Sequence, residues 1–207
     1  MSAPITDQFT CPQCGENGPL TVWNSVNVDL DPSVRDKVED LSLFEWTCPN
    51  CGKVCLVLHP MLYHDMTNQF MVWFAPDGEV QNGAEFSQLD GYTLRTTRTP
   101  NEFREKINVL ERHLDDRAIE LTKLILVMQL TRDNVDVVDL VFRGLDTQGR
   151  FVFVLVHPDG AEQQLVLPPT TYEKLAHDVR ELLFTPRGFI TVDLAWAKDS
   201  LDLLNMN

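Results

Sequence analysis

CPQCGENGPLTVWNSVNVDLDPSVRDKVEDLSLFEWTCPNCG, residues 11–52, opens and closes on one five-residue pattern, CPQCG at 11–15 and CPNCG at 48–52. In each copy a tight turn aims two thiolates at one point while backbone N–H groups face the sulfurs, and the glycine permits the positive φ that such a turn tends to require. Two such knuckles complete a tetrahedron of soft ligands, Cys11, Cys14, Cys48 and Cys51. Zn²⁺ suits four thiolates with no open position, and a closed site of this kind is structural, not catalytic. Iron in a rubredoxin-like site uses very similar knuckles and stays the alternative. A thioredoxin-like motif needs a Cys-x-x-Cys that opens a helix, and neither copy is followed by helical periodicity. Disulfides within each knuckle are strained across so short a loop. The 33 residues between Cys14 and Cys48 exceed the roughly 15–20 of the usual paired spacing. A short helix over 31–41, with Val34, Val38 and Leu41 at helical spacing behind Pro32, accounts for the extra length.

Outward from the knuckles, LTVWNSVNV, LFEWTC and KVCLVLHP read as short strands, and QFMVWF as a strand ended by the Pro-Asp-Gly turn at 76–78. Cys55, the fifth cysteine, lies in the apolar run VCLVL and reads as a small hydrophobe. Residues 81–99 are polar, apart from a candidate strand at GYTLRTT. Thr99, Pro100 and Glu102 form a capping box with proline at the first helical position, predicting one helix over about 100–131. Phe103, Ile107, Leu110, Leu114, Ala118, Leu121, Ile125 and Met128 make its apolar stripe. The apolar run from Leu121 onward predicts that its C-terminal half is the more deeply buried. In ERHLDDRAIE, residues 111–120, Glu111, Asp115 and Asp116 are expected to pair with Arg112 and Arg117 on a solvated face.

VDVVDLVFRG, FVFVLVHPDG and EQQLVLP then predict a three-stranded antiparallel meander. Thr170 and Glu173 suggest a second capping box opening a helix over TYEKLAHDVRELLF, and FITVDLAWA a final strand. The expected fold is α+β: a zinc-ribbon-like β domain over 1–80, a junction at 81–99, a long amphipathic helix over 100–131 and a C-terminal region over 132–207 with an antiparallel sheet and one helix.

WNSVN at 23–27, DP at 31–32, CPNCGK at 48–53, PMLYHDM at 60–66, FMVWF at 70–74 and EKINVLERHLDDRAIELTKLIL at 105–126, together with the doubled cysteine motif, resemble the CpXC family of prokaryotic proteins. The resemblance covers about residues 9–130. It implies a zinc-ribbon-like domain and supports the metal, and it implies no particular activity.

Seventeen Lys and Arg against thirty-one Asp and Glu give a net charge of -14, a field that repels phosphate backbones and anionic membranes. Nucleic-acid binding is therefore disfavoured, and Trp23, Trp46, Trp73 and Phe74 are expected in the core and not stacked on bases. His59, Tyr63, His64 and Asp65 form a candidate functional loop, since a His–Asp pair beside an aromatic ring can orient an imidazole for acid–base work. No serine or threonine stands out beside it as a nucleophile, and no catalytic residue is assigned. With neither a leader-like start nor roughly 18 consecutive apolar residues, the chain is expected in the cytoplasm and off the membrane. The function expected is a non-enzymatic protein-interaction or regulatory module with a structural zinc and a protein partner. A nucleic-acid-associated zinc ribbon, or a hydrolase built on His64 and Asp65, is the alternative.

Overall fold

A computed structural model describes residues 2, 4–78, 91–182 and 188–205 of the chain, which divides into two compact units, Met1–Arg104 and Glu105–Asn207. The protein is a mixed α+β molecule. Part of the expected junction, 81–90, lies outside the described residues, as do Leu183 and Phe184 at the end of the expected TYEKLAHDVRELLF helix.

In the first unit, β1 (Pro4–Thr10) and β2 (Asn17–Trp23) form one antiparallel hairpin, and β4 (Glu45–Thr47) and β5 (Val54–Leu56) another. Between them lie β3 (Ser25–Asn27), the short helix α1 (Val34–Glu39) inside the expected 31–41, and a 3₁₀ turn at Ser42–Phe44. β3 joins β6 (Met61–Asp65), β7 (Phe70–Phe74) and β8 (Thr93–Thr97) in a sheet of order β3-β6-β7-β8. Its centre is antiparallel and both flanking pairs are parallel. One face buries an aromatic cluster. Phe74 lies 5.1 Å from Phe44 and 5.3 Å from Phe103, and Tyr63 stacks on Phe70 at 5.8 Å.

The capping box forms as read: Glu102 N–H donates to Thr99 Oγ1 at 3.2 Å, and Thr99 N–H to Glu102 Oε2 at 3.3 Å. The single helix does not. The chain forms α2 (Pro100–Glu111) and α3 (Asp116–Arg132), broken at 112–115. His113 adopts φ 56°, its N–H donates to Leu110 O, and Leu114 N–H reaches back to Val109 O. This is the paired-bond C-terminal cap in which a left-handed residue ends a helix. Asp115 then caps α3 through Arg117 N–H at 3.1 Å. A left-handed residue other than glycine is uncommon, and the apolar stripe runs unbroken across the joint, so periodicity alone reads through it.

In the second unit β9 (Asp139–Leu145), β10 (Phe151–Val156) and β11 (Glu162–Leu167) make the expected meander, of order β11-β10-β9. Phe142, Phe151, Phe153 and Leu155 pack with Val109 and Ile119. Helices α4 (Pro169–Leu182) and α5 (Leu194–Asn205) pack on α3 through Leu121, Val179 and Ala197. α4 starts at Pro169, which places Thr170 inside the helix instead of at its cap. The expected final strand is helix from Leu194. Asp193 accepts Trp196 N–H at 2.8 Å and nucleates it, although the preceding FITV alternates like a strand.

The burial of the α2–α3 pair reverses the expectation. Asp116 to Lys123 are mostly buried, whereas Met128 is 41% exposed. Of the charged stretch at 111–120, Arg117 pairs with Asp115 as expected, at 2.7 Å, and Arg112 is exposed, but Asp116 and Glu120 are buried and share the interior with Glu105, Lys106 and Lys123. Lys106 Nζ donates to Asp116 Oδ2 at 3.0 Å and to Val192 O at 2.8 Å. Lys123 Nζ donates to Glu105 Oε2 at 2.9 Å and to Glu120 at 3.2 Å. Glu105 also accepts Phe142 N–H at 2.5 Å, and Asn108 Nδ2 donates to Arg143 O at 3.2 Å. Polar side chains of α2 thus occupy backbone groups on the outer edge of β9 that would otherwise be left unpaired.

Two lysines against three carboxylates leave one negative charge in excess, and burial pushes the Glu120 carboxyl above its ordinary 4.5 even though Lys123 and Lys106 act to lower it. A raised folded-state pKa means that the unfolded chain releases this proton first as pH rises. Stability is then lost as pH climbs from 4.5 through the folded value. Glu120→Gln is expected to be more stable than the wild type near neutral pH, the advantage vanishing toward pH 4.5. Lys123→Met, which leaves Glu105 without its lysine and Glu120 with only Lys106 at 3.7 Å, should cost about 3–5 kcal/mol. Urea denaturation across this pH range checks both.

Candidate metal centre

The two hairpins of the first unit carry the knuckles at their tips. β1 and β2 pair down to Thr10↔Asn17, so residues 11–16 form the first loop, and β4 and β5 pair to Thr47↔Val54, so 48–53 form the second. The loops close alike. Cys11 N–H donates to Glu16 O at 2.8 Å and Gly15 N–H to Cys11 O at 2.9 Å, while Cys48 N–H donates to Lys53 O at 2.9 Å and Gly52 N–H to Cys48 O at 3.0 Å. Gly15 and Gly52 take φ of 74° and 70°, the conformation for which the repeated glycine was read.

Trp46 brings the hairpins together. It is buried, its Nε1–H donates to Pro19 O at 3.0 Å, and its ring meets Phe9 edge-on at 5.0 Å. A Cβ on Gly18 would come within 2.9 Å of Trp46 Cζ2 and 3.0 Å of Pro49 Cδ, so this approach requires glycine. Cys11 and Cys48 are buried in the same apolar cluster with Leu20, and Cys55 packs against it apart from the four clustered sulfurs.

The Sγ atoms of Cys11, Cys14, Cys48 and Cys51 all lie within 4.8 Å of one another. Across the knuckles, Cys11 faces Cys51 at 3.7 Å and Cys14 faces Cys48 at 3.6 Å. A regular tetrahedron with bonds of about 2.3 Å has edges of about 3.8 Å, so the sulfurs already stand near the corners a tetrahedral ion needs. Electrostatics point the same way. Burial acts to raise the Cys11 thiol, yet the N–H groups of Cys14 and Gln13 and the thiols of Cys48 and Cys14 outweigh it and bring the pKa down to about 7. Lys53 N–H acts to lower Cys51, but burial and its three thiol neighbours push it up to about 12. These four cysteines form a cluster able to hold a metal.

The candidate loop comes apart into separate networks. His59 is clamped on both sides: Trp23 N–H donates to Nε2 at 3.1 Å, and Nδ1–H donates to Val57 O at 3.1 Å. Tyr63 is fully buried against Phe70 and Phe103. His64 and Asp65 are neighbours on β6, so their side chains leave opposite faces. His64 lies near Asn27 and Tyr92, at 3.5 and 3.4 Å, whereas Asp65 accepts Asn68 N–H and Nδ2–H at 2.8 and 2.7 Å and faces Arg35 at 3.5 Å. His64 and Asp65 thus sit in different hydrogen-bond networks. The sequence reading missed Asn50, whose Nδ2 donates to Cys14 Sγ at 3.7 Å. Its place inside the second knuckle was the available signal.

No helix among the described residues is long and apolar enough to cross a membrane. The family model described as CpXC protein matches residues 9–123, more than half of the chain, including all four clustered cysteines. No curated protein and no solved structure matches.

His59 is expected to be neutral with its proton on Nδ1. Burial pushes its pKa below 6.5, and protonating Nε2 would set it against the Trp23 N–H donor. A depressed histidine pKa contributes stability that is present above 6.5 and lost as pH falls through the folded value. Long-range ¹H–¹⁵N NMR should show the Nδ1–H tautomer at pH 7 and a titration midpoint below 6.5. A midpoint at or above 6.5 would count against the clamp.

Proposed function

This chain belongs to the CpXC family, and from that premise we propose that it is a non-enzymatic interaction or regulatory protein whose N-terminal region is held by one structural Zn²⁺ on Cys11, Cys14, Cys48 and Cys51. The convergence of four sulfurs from two matching knuckles carries this reading. Four thiolates satisfy a tetrahedral ion and leave no position for a substrate, so the ion's contribution is cohesion. Zinc is the ion proposed and iron in a rubredoxin-like site the alternative, since both accept four thiolates in a closed tetrahedron. The zinc-ribbon description follows from hairpin tips that carry the ligands. A reducing compartment such as the cytoplasm keeps the thiolates available.

A protein partner is favoured over nucleic acid by the net charge of -14 and by apolar side chains left on one stretch of the knuckle-bearing hairpin. Val54, Leu56 and Leu58 are 50%, 60% and 43% exposed. The separation of His64 from Asp65 supports a role without catalysis.

Purified protein is expected to carry about one zinc per chain, lost in Cys48→Ser; iron with visible absorption would replace the assignment. Metal removal by a chelator should raise amide hydrogen exchange in 4–23 and 45–57, because isolated two-stranded hairpins are at best marginally stable, and leave 105–182 protected. Unchanged exchange in the hairpins would show that the site is not structural. Affinity capture from the native host with metal-loaded protein tests the interaction role. The expected result is a partner retained by the wild type and lost with Leu56→Glu; no difference between the two would count against this surface.

A further inference from the structure

The two knuckles match in backbone but differ in the residue between proline and the second cysteine, Gln13 in one and Asn50 in the other. The burial of the four cysteines is also uneven. Cys11 and Cys48 sit inside the apolar cluster, while Cys14 and Cys51 are exposed. The outer pair therefore meets water, competing chelators and electrophiles first. Their neighbours differ as well. Lys53 N–H serves the Cys51 sulfur from within its own knuckle. Cys14 instead receives the Asn50 side-chain amide from the opposite knuckle, Nδ2 to Sγ at 3.7 Å, across 36 residues of sequence.

We infer that Asn50 is a positioning residue for the metal centre: its carboxamide donates across the two knuckles to the exposed Cys14 thiolate and protects that sulfur from attack and exchange. The inference rests on the metal reading above. An N–H donor aimed at a metal-bound thiolate withdraws charge from the sulfur, which lowers its nucleophilicity and its tendency to take a proton and leave the metal. Because donor and acceptor come from different hairpins, the bond also ties the tips together beside the ion. Gln13 holds the matching position in the other knuckle, but among the described residues no side-chain bond joins it to a sulfur. The protection is therefore one-sided.

The test uses the full-length zinc-loaded protein with Asn50→Leu, which removes the donor, and Asn50→Asp, which replaces it with a negative charge. Asn50 is exposed, so neither change disturbs the core. Transfer of zinc to a chromophoric chelator is expected to be about 10- to 100-fold faster in both, the range for lost outer-sphere partners, with the aspartate variant faster. Iodoacetamide labelling read by mass spectrometry supplies a measure that general loosening would not reproduce. The ratio of Cys14 to Cys51 modification should rise several-fold in Asn50→Leu, whereas Gln13→Leu should leave it unchanged. Wild-type zinc content with unaltered transfer and labelling ratio would overturn the role of Asn50 alone; a wild-type chain that takes up no metal would overturn both this role and the metal reading beneath it.

Discussion

Four cysteine sulfurs, all within 4.8 Å of one another, meet where two hairpin tips converge, and that convergence governs the N-terminal region. The hairpins are short, and the apolar cluster they share is built on a few residues, chiefly Leu20, Trp46, Cys11 and Cys48. Half of that cluster is cysteine. The same side chains fill an apolar cluster and offer thiolate ligands, a conflict that a bound metal cation would settle by neutralising the sulfurs without admitting water. Gly18 and the Trp46 ring set how near the tips come, so the ligand geometry is prepared by packing as well as by the knuckle turns.

The second unit handles buried charge differently. Its helices bring two lysines and three carboxylates into a dry interior, where ion pairs add little net stability over apolar replacements but penalise any arrangement that separates them. Glu105 shows why such a residue is kept. One oxygen holds Lys123 and the other holds the Phe142 N–H on the sheet edge, so a single carboxylate joins α2, α3 and β9. An apolar side chain of equal volume would fill the space and leave that backbone donor unpaired.

What could be read in the chain beforehand follows from the range of the interactions involved. The knuckles, the Thr99–Glu102 capping box and the β9–β11 meander are encoded within a few residues of themselves, and each was legible. The α2–α3 break was hidden because its left-handed residue is histidine, and α5 because an alternating FITV precedes its Asp193 cap. The charged stretch was misread for a deeper reason. A Glu/Lys/Asp pattern on a helix looks identical whether its partners are water or one another, and only the fold brings Lys106 to Asp116 and Lys123 to Glu105. The cysteine cluster was visible residue by residue, while the Asn50 contact depends on how the two tips are juxtaposed.

The parallel pairing of β3 with β6 carries a consequence for how the chain finds its register. Ten residues separate Cys14 from Ser25, and ten separate Cys51 from Leu62, and Ser25 and Leu62 are partners in that pair. The two strands leave the joined knuckles on arms of equal count, so the clasp works as a common origin from which both are measured. The saving in loop-closure entropy is small, since even halving a loop is worth only about 0.6 kcal/mol. Alignment is the larger effect. A one-residue insertion in either arm would shift the origin by a full strand step, and with the period of two it would turn Val26 against the wrong face of Tyr63. Lengths of the segments 15–24 and 52–61 are therefore constrained together, even at positions where the side chains themselves are free to vary.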